Sequence, residues 1–364
     1  MDERRTWILA SPHAGDNTQL LALADALGWP YEIKHLAYRK SEKFLRFLNR
    51  PTLAGVDRGR SDPISPPYPD LIIAGGRSAE AVSLWIRRYA NPRVRLVFIG
   101  TPWGSPDNFD LVIATPQYRL PHHPNVLPID LPLHALTPAS LAAAGEAWLP
   151  HFQHLPQPWI AVLAGGDSGP YVFGRASAAR LGEEASRLAR DCGGSLLVTT
   201  SARTSGVAAD ALAAAISVPY YPHKGGQSHG ENPFLAFLAL AQKIIVTADS
   251  ISMIAEACAT GKPVLLFDTE EGKQSMRAED SSTSADGSLP PPYWLGRNAD
   301  STAFRLAMRF GPPRWSRDLR IVHRNVVQAG LASWLGDPPR SIPASQLSDN
   351  LERSAARIRA LFNQ

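Results

Sequence analysis

Five residues in the stretch Gln242 to Phe267, QKIIVTADSISMIAEACATGKPVLLF, have the types and spacing to hold a phosphorylated ligand: Thr247, Asp249, Ser250, Ser252 and Glu256. The N–H groups that open a helix lack intrahelical acceptors and carry positive dipole character, which suits a phosphate. A carboxylate one turn further on accepts hydrogen bonds from two neighbouring hydroxyls, as on a ribose or a sugar ring. Ser252 and Glu256 stand four apart and share a helix face. The bland alternative is a capped helix with two polar residues turned to solvent.

The elements that must position these groups are legible around them. Lys243 to Thr247 and Pro263 to Phe267 are short β-branched or apolar runs of the kind that make buried parallel strands. Between them Ser250 caps a predicted helix whose Ile251, Ile254, Ala255 and Cys258 fall at i, i+3, i+4 and i+7, and Gly261 ends it. The polar residues then gather at the carboxyl end of the first strand, the edge at which open α/β sheets bind ligands.

A second group lies upstream. Trp159 to Ala164 reads as a strand running into Gly165-Gly166-Asp167-Ser168-Gly169, whose backbone N–H groups are expected to cradle a diphosphate. The next strand, Ser195 to Thr199, ends in Thr200-Ser201-Ala202-Arg203. An arginine there would stabilise charge on a departing diphosphate, an effect of about 3 kcal/mol; the alternative is an exposed loop arginine. The spacing G-G-x-x-G is not the dinucleotide fingerprint, and no acidic residue follows the second strand, which disfavours a dehydrogenase. No Walker A sequence is present. The loop from His223 to Pro233 is expected to line the same pocket, with Asn232 in a specific role.

At the N-terminus, Trp7 to Ala10 reads as a strand, Ser11 to Asn17 as a loop and Thr18 to Leu27 as a helix, which puts Gly15 and Asp16 at a strand-to-helix turn. Asp16 either caps that helix or acts as a general base toward an acceptor hydroxyl; His13 is the competing base. Further strands are predicted at Tyr31 to Leu36, Leu71 to Ala74, Arg95 to Ile99 and Leu111 to Ala114, alternating with helices such as Ser78 to Tyr89, a parallel-sheet pattern. Gly75-Gly76-Arg77-Ser78 is a tight turn or an acceptor-phosphate contact. Phe44, Leu45, Phe47 and Leu48 stand among Arg39, Lys40, Lys43, Arg46 and Arg50, an amphipathic patch that lies on an anionic membrane or packs on its own domain.

Eight prolines between Pro121 and Pro158 mark a linker, interrupted by a helix at Pro138 to Trp148. The expected domains are 1–154 and 155–340, followed by a helix within 341–364 that crosses back to the first domain. Thr269 to Pro292 is Ser-, Pro- and Gly-rich and reads as a mobile loop. At 364 residues, 44% hydrophobic, the chain has material for two cores, and its net charge of +4 suits anionic partners. Nothing in it has the basic, aromatic-interleaved pattern of a nucleic-acid module, and there is no zinc spacing. The lone thiols Cys192 and Cys258, and the absence of a signal peptide or a long apolar run, predict a soluble cytoplasmic protein with peripheral contact at the inner membrane surface.

The runs ENPFLAFLALAQKIIVTADSISMIAEACATGKPV, SPHAGDNTQLLALADALG and TTSARTS resemble the ELM-type mitochondrial-fission family, whose bacterial members are regarded as lipopolysaccharide-type glycosyltransferases. The resemblance spans about Thr6 to Gly330. It implies a GT-B-like architecture, two Rossmann-like α/β domains with mostly parallel sheets facing across a cleft, and no cofactor or metal. In GT-B enzymes the equivalent helix holds the donor, and with the readings above the expected donor-binding residues are Gly166, Ser168, Gly169, Thr200, Arg203, Asn232, Asp249, Ser250, Ser252, Met253 and Glu256. On the acceptor side the resemblance implies Gly15, Asp16 and Asn17. Heptosyltransferase-like enzymes carry a Gly-Asp with the aspartate as base at that place, and MurG-like enzymes place a histidine in a comparable loop. Such a chain moves a sugar from a nucleotide-sugar to a glycan or lipid-linked acceptor with inversion. Where family members continue with Pro-x-His-Asp, this chain has Thr115-Pro116-Gln117-Tyr118, so no role transfers there. Two other classes remain open: a non-catalytic membrane-associated adaptor, and a sugar-nucleotide epimerase or hydrolase on the same architecture.

Overall fold

The structure, a computed structural model, describes residues 4–11, 14–40, 50–226, 232–277, 289–338 and 349–363. It divides into two compact units, one made of Met1–Ala135 with Asp349–Gln364, the other of Leu136–Ser348.

The first unit runs β1 (Thr6–Leu9), α1 (Ala14–Leu27), β2 (Tyr31–Lys34), β3 (Leu71–Gly75), α2 (Arg77–Trp85), β4 (Arg95–Ile99), β5 (Leu111–Ala114) and β6 (Val126–Pro128). Its strands pair in parallel in the order β2-β1-β3-β4-β5-β6. Period-two alternation sends Trp7, Leu9, Ile72 and Ala74 into one core layer and Ile8, Leu71 and Ile73 into the other. Covering both faces is what makes these strands apolar throughout.

The second unit opens with α3 (Pro138–Phe152), then β7 (Trp159–Ala164), α4 (Arg175–Asp191), β8 (Ser195–Thr200), α5 (Gly206–Ala215) and β9 (Tyr220–His223). It continues with α6 (Phe234–Leu240), β10 (Lys243–Thr247), α7 (Ile251–Ala259), β11 (Val264–Phe267), α8 (Ala299–Phe310), α9 (Leu319–Gln328) and β12 (Ser333–Trp334). Its sheet is also parallel, in the order β12-β11-β10-β7-β8-β9. Each unit is therefore a Rossmann-like α/β layer structure, as expected.

In both sheets the chain leaves the first strand to one side and later returns to the other side of it. The strand order thus reverses between β1 and β3 and again between β7 and β10. At such a reversal the connecting segments diverge to opposite faces and leave a crevice beyond the carboxyl ends of the strands.

The unit boundary differs from the proline-based expectation. Helix α3 sits within the second unit, because its Phe152 rings with Trp159, Tyr221 and Phe237 at centroid distances of 6.2, 4.9 and 5.5 Å. Thr137 and Ser140 cap it in a reciprocal box. The C-terminal helix α10 (Asn350–Ala360) belongs to the first unit, where buried Ala355 and Ile358 join the α1 face of the core and Arg359 donates to the Ala26 carbonyl at 2.6 Å. Helix α1 starts at Ala14 rather than Thr18. Residues 269–277 of the expected loop fold around Asp268, whose carboxylate accepts from the Glu270 and Met276 amides (2.9 Å each) and the Ser275 hydroxyl (2.6 Å). The rest of that loop up to Ser288, and the Phe44 to Leu48 patch, lie outside the described residues.

Candidate functional site

At the β7–β10 reversal the predicted residues come together. The turn after β7 is closed on the turn after β10: the Gly165 amide donates to Thr247 Oγ1 at 2.7 Å and the Gly166 amide to Asp249 Oδ2 at 3.0 Å. The segment after β8 joins them through Arg203, whose guanidinium donates to the same Asp249 oxygen at 3.2 Å and to the Asp167 carbonyl at 3.0 Å. Thr204 completes the tie by donating to the Gly165 carbonyl. Asp249 is wholly buried while Arg203 keeps 42% of its side chain exposed. Burial pushes the Asp249 carboxyl above the usual range, and the Arg203 charge and the Gly166 amide oppose that rise.

Glycine is required here for close approach rather than for ligand access. A Cβ on Gly165 would stand 2.3 Å from Asp249 Oδ2, and one on Gly166 would stand 2.2 Å from the Arg203 carbonyl oxygen. The cradle reading is corrected accordingly: the amides of Gly165, Gly166 and Ser168 are committed to Thr247, Asp249 and the Tyr171 carbonyl. The Ser168 hydroxyl accepts from Arg317 at 2.7 Å, and Gly169, with φ +60°, carries the turn over the Phe304 ring.

Helix α7 presents what the sequence predicts, with one difference. Ile251, Ile254, Ala255 and Cys258 are buried, and Ser252, Met253 and Glu256 share the half-exposed face. Ser250 stands at the N-cap but its hydroxyl makes no capping bond, because its backbone (φ −109°, ψ 86°) turns the side chain away from the first-turn amides. Its own amide donates to Thr247 at 3.3 Å. The Glu256 carboxyl, which forms no ion pair among the described residues, is pushed by burial up to about 7. Thr200 is buried at the end of β8, its carbonyl packed under Gly225. Asn232 is exposed and its side-chain oxygen accepts from the Phe234 amide at 3.0 Å, so it starts α6.

In the first unit, Asp16 lies in the first turn of α1 and accepts from the Ser11 hydroxyl at 2.8 Å. The Asn17 carboxamide is spent on Ser11, accepting from its amide (2.8 Å) and donating to its carbonyl (2.9 Å), and Gly15 is half-buried beside them. His13 lies outside the described residues. The Gly76 turn, φ +80°, passes within reach of Ser11 Oγ, so the ends of β1 and β3 adjoin.

Two positioning residues carry no sequence signal strong enough to single them out. Glu80, buried in α2, accepts from the Trp103 and Gly104 amides at 2.6 and 2.9 Å and holds the loop after β4 against the β3 turn. His323, buried in α9, stands 2.6 Å from the Ala248 carbonyl through Nε2, and so backs the turn that carries Asp249 and Ser250. Both fall among apolar helix positions, where a lone polar residue reads as surface. Among the described residues no group of three His, Cys, Asp or Glu side chains could hold a metal ion. Nor is any described helix long and apolar enough to cross a membrane.

The chain is 29% identical over 230 residues to mitochondrial fission protein ELM1 of Arabidopsis thaliana, covering 56% of this chain and 53% of that protein. It thus spans about half the length of that relative. It is 25% identical over 296 residues to the uncharacterized protein RP120 of Rickettsia prowazekii (strain Madrid E), covering 72% and 82%. Similar solved structures include Acinetobacter baumannii MurG, at 13% identity and TM-score 0.43 over 98% of this chain and 90% of that one. Another is a UDP-GlcNAc 2-epimerase from Neisseria meningitidis bound to UDP-GlcNAc, at 11% identity and TM-score 0.47 over 99% of each. Residues 14–286 match the family described as Mitochondrial fission ELM1, and the chain belongs to that family.

Proposed function

We propose that the chain is a glycosyltransferase that takes a nucleotide-sugar on its second unit and carries its acceptor base, Asp16, on the first. The observation that carries this reading is the arrangement at the β7–β10 reversal. There the first turn of α7 opens without a side-chain cap from Ser250, and a half-buried carboxylate, Glu256, stands one turn further along. The uncapped amides and the helix dipole suit the diphosphate, and Glu256 suits a pair of ribose hydroxyls. Arg203, anchored to Asp249 but still partly exposed, offers positive charge to the leaving nucleotide. In this mechanism the Asp16 carboxylate removes the acceptor hydroxyl proton, the oxygen attacks the anomeric carbon, and the bond to the diphosphate breaks with inversion. Donor-site groups Ser252, Met253 and Thr200 complete the nucleotide pocket, and the reaction runs without a metal. The acceptor is a glycan or a lipid-linked sugar, met at the cytoplasmic face of a membrane.

A melting-temperature panel of UDP-, GDP-, ADP- and CMP-sugars tests the binding half. A ligand at one hundred times its Kd should stabilise the chain by about 2.7 kcal/mol. Asp16→Asn tests the chemical half: it should abolish transfer and leave donor affinity intact, whereas normal turnover in that variant removes Asp16 from the mechanism. Turnover that persists in EDTA is the expected outcome for the metal. A second reading, a non-catalytic adaptor, draws on the internal commitment of the Gly165, Gly166 and Ser168 amides, which makes that turn a scaffold in its own right. It predicts no shift with any nucleotide-sugar.

A further inference from the structure

Away from the Asp249 cluster, the second unit contains a cavity of about 510 Å³ whose lining includes Lys273, Arg277, Arg305, Arg320, Tyr171 and Tyr293 and, among the described residues, no carboxylate. Four cations around one cavity would be a solvated patch if they were exposed, and Lys273 and Arg277 are. Arg305 is different. It is only 1% exposed, and among the described residues it forms no ion pair. Its guanidinium donates to the Tyr293 and Gln274 carbonyls at 3.3 Å each, and Nε has no partner among the described residues. The nearby acids are engaged elsewhere: Glu270 with Arg297 at 2.7 Å and Asp318 with Arg320 at 2.7 Å. Tyr171, also 1% exposed, lies with its ring 5.6 Å from the Arg305 guanidinium carbon, and its hydroxyl has no partner either. Arg305 thus carries a buried charge with no counter-ion among the described residues, beside a buried hydroxyl with no partner among them, and both are costly.

We propose that this cavity is a binding site for a small anionic molecule, a phosphate ester or carboxylate carried on a body of about monosaccharide size. The volume lies within the range of small-molecule pockets. The anion accepts hydrogen bonds from Arg305 and the Tyr171 hydroxyl, Arg320 and Lys273 supply further charge, and the Tyr293 ring faces the body of the ligand. Of these residues only Tyr171 adjoins the glycine turn described above, through its backbone, and the proposal holds whether or not the chain transfers a sugar.

Isothermal titration of the full chain with glucose 6-phosphate, glucuronate, inorganic phosphate and glucose tests it. At least one of the three anions should bind and glucose should not. Preference for glucose 6-phosphate assigns the site to esters, preference for glucuronate to acid sugars, and equal binding of inorganic phosphate to the free ion. Lys273→Glu, at an exposed position, should weaken the anion at least about tenfold. Tyr171→Phe should weaken it by about tenfold while leaving the melting temperature of the free chain equal or higher, because it deletes a buried hydroxyl that has no protein partner. Failure of every anion to bind at about 10 mM, equal binding of glucose, or anion affinity unchanged in both variants overturns the proposal. The last result would mean that the anion sits elsewhere, for instance at the start of α7.

Discussion

Glu256 shows how one carboxyl links local burial to function. Burial alone raises it to about 7, so it passes from neutral to ionised across the physiological range. In the proposed donor site the ionised form is the stronger acceptor toward ribose hydroxyls, a hydrogen bond to a charged group being worth about 1.5–3 kcal/mol. A nucleotide-sugar has no titrating phosphate in this window, so its Kd should fall roughly tenfold between pH 6 and pH 8 in the native chain, a difference of about 1.4 kcal/mol. Glu256→Gln should bind more weakly at pH 8 and show no such slope; a slope that survives in that variant assigns the titration to another group. Glu256, Ser252 and Arg203 were legible from spacing because they stand on periodic elements or directly after a strand. The exact use of Asn232, Asn17 and the glycine turn was not, because each spends its polar atoms on a neighbour that only the fold supplies. Gln242 is a further case: it precedes β10, and its side-chain oxygen accepts from the Trp159 amide at 2.6 Å and aligns the start of β7.

Among elements, the strands that β-branched runs announced are present, and what escaped the sequence lies at sheet edges and helix starts. Strand β9 contains Pro222, which a central strand excludes; at the edge of the sheet it is tolerated. The start of α1 was hidden because Asp16 and Asn17 resemble loop residues, whereas here they bind back to Ser11 from within the helix. The glycine turn gives a test at this scale. In Gly166→Ala the new methyl meets the Arg203 backbone at 2.2 Å, an atom that cannot swing aside, so the variant should lose about 2–3 kcal/mol and bind nucleotide-sugar less well as Arg203 is displaced. Gly206→Ala, at the first position of α5 with open space around it and Ser205 still capping, should gain about 0.5 kcal/mol. Urea midpoints at an unchanged m-value measure both. Equal effects of the two substitutions would mean that the close approach at Gly166 is not what the turn requires.

For the whole molecule, the sequence carries two Rossmann-like halves but not their membership: α3 joins the second unit through aromatic rings and α10 joins the first through a buried stripe, contacts far apart in the chain. The same holds for its response to pH, in which two groups of the second unit oppose each other. His323 is fully buried, and desolvation lowers it from 6.5 to about 4. The unfolded chain therefore binds the extra proton, and the stability this histidine contributes above pH 6.5 is lost as pH falls toward 4, up to about 3 kcal/mol. Glu256 is raised from 4.5 to about 7, so the folded chain binds the extra proton; its contribution is complete below pH 4.5 and is lost as pH rises through 7. Because Glu256 is half-exposed, its effect is discounted to about 2 kcal/mol or less. Asp249, Asp268 and Glu270, also raised by burial, tilt the same way as Glu256. Between pH 4.5 and 6.5 single substitutions should separate the two slopes. Glu256→Gln should lose stability more steeply toward acid, whereas His323→Gln, less stable throughout, should lose less toward acid than the native chain or gain. Urea unfolding at half-unit pH steps, read as the difference of each variant from the native chain, measures this directly. Parallel curves for native and His323→Gln would show that His323 does not resist protonation, and with it that the Ala248 turn is not held by a neutral ring.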